Sequence, residues 1–281
     1  MFTRFLSGGS RRLQAVGLVL AFVALGVAMG YAQPRRGRGG LDVRMATGFA
    51  FDGSFNFCRI AFRGNRFGDG GGWGVDYPRA DINLSIRLGE LTKTPVSFDQ
   101  SGEPNHLVVR LTDPELFQCP FVMMTEVGAA YFTPEEAAQL RDYLQKGGFL
   151  WVDDFWGAYA WRAWLTEFGK VLSPVDHPAL PLPPDHPLFR TLFDVKKVPQ
   201  VPSINFWAGT GGGTSERGRD SATPEAWGVS DQRGHLMVLM THNTDIGDSW
   251  EREADDPAYF YRFSVDGYAL GVNVLMYAMS H

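Results

Sequence analysis

Carboxylates are the residues of this chain whose spacing could do chemistry. Asp153 and Asp154 close an apolar run, Phe149 to Val152, and Glu126 closes another, Phe121 to Thr125. Two adjacent carboxylates at a strand end are costly to bury unless water, a cation or backbone N–H groups satisfy them. Such a pair could hold a divalent metal or act as general acid and base. The simpler expectation has Asp154 capping the next helix and Asp153 bound to loop amides. His242, Asp245, Asp248 and Glu251 follow a later apolar run, and Asp76 follows a glycine cluster. Mixed imidazole and carboxylate groups bind metals, although no HExxH spacing exists. Asp-His-Pro occurs twice, at 176–178 and 185–187. Asp185 and His186 could be ligands, but this tripeptide more simply makes a turn held by proline. Trp73, Trp156 and Trp250 could form a stacking platform for a sugar or peptide, core packing being the commoner use of tryptophan.

Nucleophile motifs are missing. No GxSxG elbow occurs, and Cys58 and Cys119 precede or open strands instead of following them. Gly68 to Gly74 is neither a P-loop nor a GxGxxG turn. It reads as a loop lying over the sheet edge. Two cysteines without CxxC spacing set no disulfide or zinc framework. The expectation is two separate buried thiols, with a bridge between neighbouring parallel strands as the alternative.

The elements that must position these residues alternate strand and helix. Strands are expected at 55–62, 106–111, 121–125 and 149–152, the apolar 121–125 run suiting a strand buried on both faces. Helices are expected at 81–91, 133–146, 158–168 and 265–279 from their apolar spacing. Thr133-Pro134-Glu135-Glu136 is a capping box with proline at the first helical position, and Gly147 supplies the left-handed stop. Residues 173–202 are proline-rich and irregular. Residues 226–230 and 235–240 suggest a hairpin that extends the sheet with antiparallel strands. This order calls for a mostly parallel sheet with helices on both faces, an α/β three-layer sandwich of flavodoxin-like topology. Ligands of such sheets bind beyond the carboxyl ends of the strands, where the acids fall.

Over its 281 residues the chain is 44% hydrophobic, 20% charged and 14% aromatic. That is a globular composition, and the length allows a core that needs no metal or disulfide to fold. Net charge is −5, and residues 1–32 hold three arginines and no acid, so the remainder is more acidic still. A general nucleic-acid footprint is excluded. Residues 1–32 have the layout of a secretory signal peptide, with Gly30-Tyr31-Ala32 before the cleavage point. An uncleaved inner-membrane anchor over 13–30 is the alternative. Residues 33–41 (QPRRGRGGL) form a basic glycine-rich linker, and residues 42–281 one α/β domain. The expected location is periplasmic or otherwise extracytoplasmic, with membrane contact only through residues 1–40.

Several pieces in order resemble domain-of-unknown-function family 4159. They are the glycine loop with Trp73 and Tyr77, Asp113 to Phe117, Phe121 to Thr125, and Thr133 to Phe149 with Asp153-Asp154. Leu182 to Phe189, Asp245 to Glu251 and Leu270 to Ala278 follow. The resemblance implies a class I glutamine amidotransferase-like fold, an exported or tethered domain, and no established reaction. Enzymes of that fold carry a cysteine on the turn after the strand matching Phe149–Val152. Here the turn reads Asp153-Asp154-Phe155-Trp156, so the amidotransferase mechanism does not carry over. The preferred expectation is a non-catalytic envelope module that binds an envelope protein or a small ligand. The alternative is a metal-assisted hydrolase using Asp153, Asp154, His186, His242 and Asp245, with a divalent metal as its cofactor.

Overall fold

Parallel strands covered on both sides read as near-continuous apolar runs, and five segments of the chain fit this. In the computed structural model, which describes residues 43–280, these segments are β1 (Phe57–Ile60), β3 (His106–Val109), β4 (Phe121–Thr125), β6 (Phe149–Asp153) and β9 (Leu236–His242). Every residue in them is buried. The sheet order is β3-β1-β4-β6-β9-β8-β7, with β7 at Leu180–Pro181 and β8 at Glu225–Ser230. The first five strands are mutually parallel, which is the flavodoxin order. A separate two-stranded sheet pairs β2 (Arg63–Gly64) with β5 (Ala130–Tyr131).

The hairpin differs from expectation. β8 and β9 pair antiparallel, but β9 lies parallel to β6 as the fifth strand of the parallel set. Only β8 reverses direction; the two-residue β7 pairs antiparallel with it and so runs with the parallel set. β9 is therefore central, and its last residues open onto the same edge as the ends of β4 and β6.

Helices cover both faces. α1 (Arg79–Thr92) and the closing α6 (Val265–Ser280) pack with Phe121, Met123, Trp151 and Leu239. α2 (Pro134–Gln145) and α3 (Gly157–Phe168) pack with Val122, Met124, Val152 and Met240. Alternate residues of one strand thus feed opposite cores. The expected capping box is present, with Thr133 Oγ1 accepting from Glu136 N at 3.2 Å and Thr133 N donating to Glu136 Oε2 at 2.8 Å. Among the shorter helices are α4 (Ile204–Gly209) and α5 (Ile246–Glu251). α5 was not foreseen from the sequence, and it carries two of the acids.

Cys58 and Cys119 are joined in a disulfide. This corrects the expectation of separate thiols. β1 and β4 are adjacent, and Cys119 precedes β4 on the loop from Pro114–Gln118. Its backbone is therefore free of the ladder and can bring the Cα atoms to 6.1 Å, inside the range a bridge requires. The proposed signal peptide, anchor and linker lie outside the described residues. No described helix is long and apolar enough to cross a membrane.

Candidate functional site

Register sets the floor of the site. Thr125 pairs with Asp153 across β4 and β6, and the pairing of Val152 with Met240 places Thr241 beside Asp153. Trp151 Nε1 donates to Thr241 Oγ1 at 2.8 Å, and Thr241 Oγ1 donates to Asp153 Oδ1 at 2.5 Å. Gly247 N donates to Asp153 Oδ2 at 3.0 Å. Asp153 is thereby fixed, as the loop-amide expectation held in part.

The turns above the floor are unusually bent. Asp76, Glu126, Asp154 and Asn243 have φ of 63°, 56°, 55° and 61°, a region that costs non-glycine residues energy and recurs at functional sites. Glu126 and Asp154 each follow a strand directly. Glu126 N donates to the carbonyls of Asp153 and Asp154 at 3.2 and 3.1 Å, and Glu126 Oε2 accepts from Gly71 N at 2.7 Å. The glycine loop thus lies over the edge, tied to this carboxylate. Asp154 does not cap α3 as expected. Asn243 Oδ1 and Asp220 Oδ2 accept from Gly157 N and Ala158 N, which leaves Asp154 to accept from Trp156 Nε1 at 2.9 Å.

Asp76 is held from below. Arg59, fully buried in β1, pairs with Asp81 of α1 and donates to the carbonyls of Trp73 and Val75 and to Thr125 Oγ1. That guanidinium ties the 73–75 loop to the sheet. Tyr77, also buried, accepts from Arg44 N at 2.9 Å and packs on Trp73. From the other side comes α5. Asp245 caps it by accepting from Asp248 N at 2.8 Å. Asp248 accepts from Ile204 N at 2.8 Å, and Arg252 Nε lies 3.2 Å from Asp248 Oδ1 and 2.8 Å from Glu251 Oε2.

The result is a buried nest of acids. Burial raises the pKa of Asp76, Asp154 and Asp245 well above the ordinary carboxylate range, and repulsion from neighbouring acids adds to it. Burial pushes Asp153 up to about 7, against the hydrogen bonds from Thr241 and Gly247. Glu126 and Asp248 are also raised by burial, opposed by the Gly71 and Ile204 amides respectively. Burial works to lower the Arg59 pKa, but Asp81 outweighs it and keeps the guanidinium charged.

Asp76 Oδ2 is buried with no hydrogen-bond partner, although the residue is only 6% exposed. A buried carboxylate oxygen left unpaired costs free energy that a native fold rarely leaves uncompensated. Ligand atoms of Asp76, Asp154 and Asp245 lie within 4.8 Å of one another, as do those of Asp76, Asp248 and Glu251. An all-oxygen set of this kind suits a hard cation such as Mg²⁺, Mn²⁺ or Ca²⁺ in preference to Zn²⁺.

Of the residues singled out in the sequence, Asp76, Glu126, Asp153, Asp154, Asp245 and Glu251 converge here together with Asp248. His242 stands beside the nest, not in it: Nε2 lies 3.2 Å from Gly157 O, and the ring packs on Phe155 and Trp161. Asp185 and His186 are elsewhere. His186 accepts from Leu188 N as a helix cap and packs on Tyr277, which in turn packs on Phe149 at the opposite end of β6. The turn reading of Asp-His-Pro describes it. The tryptophans form no platform: Trp250 is fully buried against Trp151, Trp156 is buried and donates to Asp154, and Trp73, half-buried, packs against the core. Arg59 and Asp81 were not foreseen. An arginine inside the apolar run FNFCRIAF was the available signal, since a buried charge must have a partner.

A search of curated proteins finds no match to this chain. The family profile "Domain of unknown function (DUF4159)" matches residues 59–279, from Arg59 of β1 to the end of α6, and so takes in the whole acidic nest. The chain belongs to this family.

Proposed function

We propose that the domain is an extracytoplasmic binding module that works through a divalent cation held in the acidic nest, the cation in turn taking an anionic, oxygen-bearing ligand. The observation that carries this reading is Asp76 Oδ2, a buried oxygen among like charges with no donor of its own. A hard cation supplies what that oxygen lacks and offsets the repulsion that raises its neighbours. Water or ligand oxygens complete the shell of such an ion. The disulfide supports an oxidising location, since bridges of this kind are rare in cytosolic proteins. It also occupies both sulfurs, so no thiol is available to act as a nucleophile.

Elemental analysis of the full chain purified without chelator, with a melting curve before and after chelation, tests the reading. Bound Mg²⁺, Mn²⁺ or Ca²⁺ and a melting temperature that falls on chelation and returns with MnCl₂ are expected. A metal-free protein whose melting is indifferent to these ions would overturn it.

A further inference from the structure

We infer that the nest holds two divalent cations bridged by Asp76, and that the ligand they take is a phosphoryl group. This rests on the cation-dependent reading above and goes beyond it in number and in ligand.

The two groups of converging oxygens share Asp76 and no other residue. Asp154 and Asp245 come from turns after β6 and β9. Asp248 and Glu251 come from α5, three residues apart and so on one helical face. Asp76 stands between a strand-end pair and a helix pair. A carboxylate has two oxygens and can ligate an ion with each. Asp76 is 6% exposed, and Oδ2 has no hydrogen-bond partner, so it faces the nest with that capacity unspent.

Charge gives the same count. Arg59 is matched by Asp81. Arg252 serves Asp248 and Glu251 and is shared further with Asp255. No guanidinium or ammonium contacts Asp154 or Asp245 among the described residues. One divalent ion between Asp76, Asp154 and Asp245 leaves Asp248 and Glu251 with Arg252, which Asp255 shares. A second ion at Asp248 and Glu251 answers that excess. The Asp154–Asp245 position is the tighter of the two, because no fixed cation competes there. The Asp248–Glu251 position is the weaker, because Arg252 already occupies part of its oxygens.

The ligand class follows from the pair. The carboxylates alone repel an anion. Two cations sharing one carboxylate bridge present adjacent open positions, which a tetrahedral oxyanion spans with two of its oxygens, as in two-metal phosphoryl sites. Gly247 makes room for the bridging carboxylate: a Cβ there would sit 2.6 Å from Asp76 Oδ2 and 3.4 Å from Asp245 Oδ1.

Calorimetric titration of the chelator-stripped full chain with MnCl₂, followed by electron paramagnetic resonance, is the test. Two ions per chain of unequal affinity, with the spectrum of a magnetically coupled pair, are expected. Glu251→Gln should leave the tight ion and weaken the second at least tenfold. Asp154→Asn should weaken the tight one, and circular dichroism confirms that each variant is folded. Inorganic phosphate should bind the Mn²⁺-loaded protein and not the stripped protein. A single uncoupled ion per chain would overturn the bridge while the cation-dependent reading stands. No ion at all would sink both. A coupled pair that ignores phosphate would overturn the ligand class.

Discussion

Asp76 combines a left-handed backbone, near-complete burial and an oxygen without a donor. Each feature costs stability, and a site kept for binding is where such costs accumulate. Asp76→Asn tests this directly. Asparagine tolerates the left-handed region and removes a charge that burial and neighbouring acids disfavour. Without metal the variant should be more stable than the parent by roughly 1–3 kcal/mol, and it should lose the melting shift on adding MnCl₂. A variant that is destabilised yet still responds to the ion would show that Asp76 serves the fold alone. The protonation of Asp153 gives a second prediction. Its carboxyl rises from 3.8 to about 7 on folding, burial being the main cause. Below the lower value it is protonated in both states and contributes no penalty. As pH rises, the unfolded chain ionises first, so stability falls until the pH passes the folded value. Asp76, Asp154 and Asp245 shift in the same direction. Chelated protein should therefore melt higher near about pH 5.5 than near about pH 8, and saturating Mn²⁺ should narrow the gap. A melting temperature that climbs with pH in chelator would contradict this ordering.

Secondary-structure elements differ in how plainly the sequence announced them. Phe121–Thr125 and the capped helix from Thr133 were legible because continuous apolar burial and a capping box are local signals. β9 was read as a strand, but its parallel placement was not, since the hairpin suggested an antiparallel extension and only the crossover to β6 decides the matter. The acids at 153, 154 and 126 were legible as strand-end residues. Their gathering with Asp76, Asp245 and Glu251 at the carboxyl edge was legible too, but that Asp248 and Glu251 reach it from a helix was not, because α5 is six residues long and too short to show a helical period. His186 misled because Asp-His-Pro carries ligand-type residues while its turn chemistry is purely local. The β1–α1 connection is held by Arg59 and Asp81, both fully buried. Arg59→Ala should cost about 3 kcal/mol or more, since Asp81 is left as an uncompensated buried charge. It should also weaken cation binding by releasing the 73–75 carbonyls. The double variant Arg59→Met, Asp81→Leu should recover much of the stability and little of the binding. Recovery of both, in melting and calorimetric measurements, would detach the pair from the site.

At the scale of the whole molecule, a flavodoxin-like sheet gathers the ends of β4, β6 and β9 at one edge, and the disulfide staples β1 to the loop before β4 across a sequence separation of 61 residues. By loop-closure entropy a bridge of that span contributes roughly 4 kcal/mol. Reduction should lower the melting temperature substantially, and Cys58→Ala, Cys119→Ala should reproduce the loss without altering cation affinity, because neither sulfur contacts the nest. Equal stability of oxidised and reduced protein would place the bridge outside the fold's requirements. The same oxidising chemistry that forms the bridge is what an exported domain meets, which links the staple to the proposed location.

The most direct measurement is a crystal soaked in MnCl₂ and recorded at a wavelength where manganese scatters anomalously. A peak about 2.0–2.4 Å from carboxylate oxygens of Asp76, Asp154 and Asp245 is the predicted result. An empty nest, with manganese only on exposed surface carboxylates, would contradict the claim that this domain works through a bound cation.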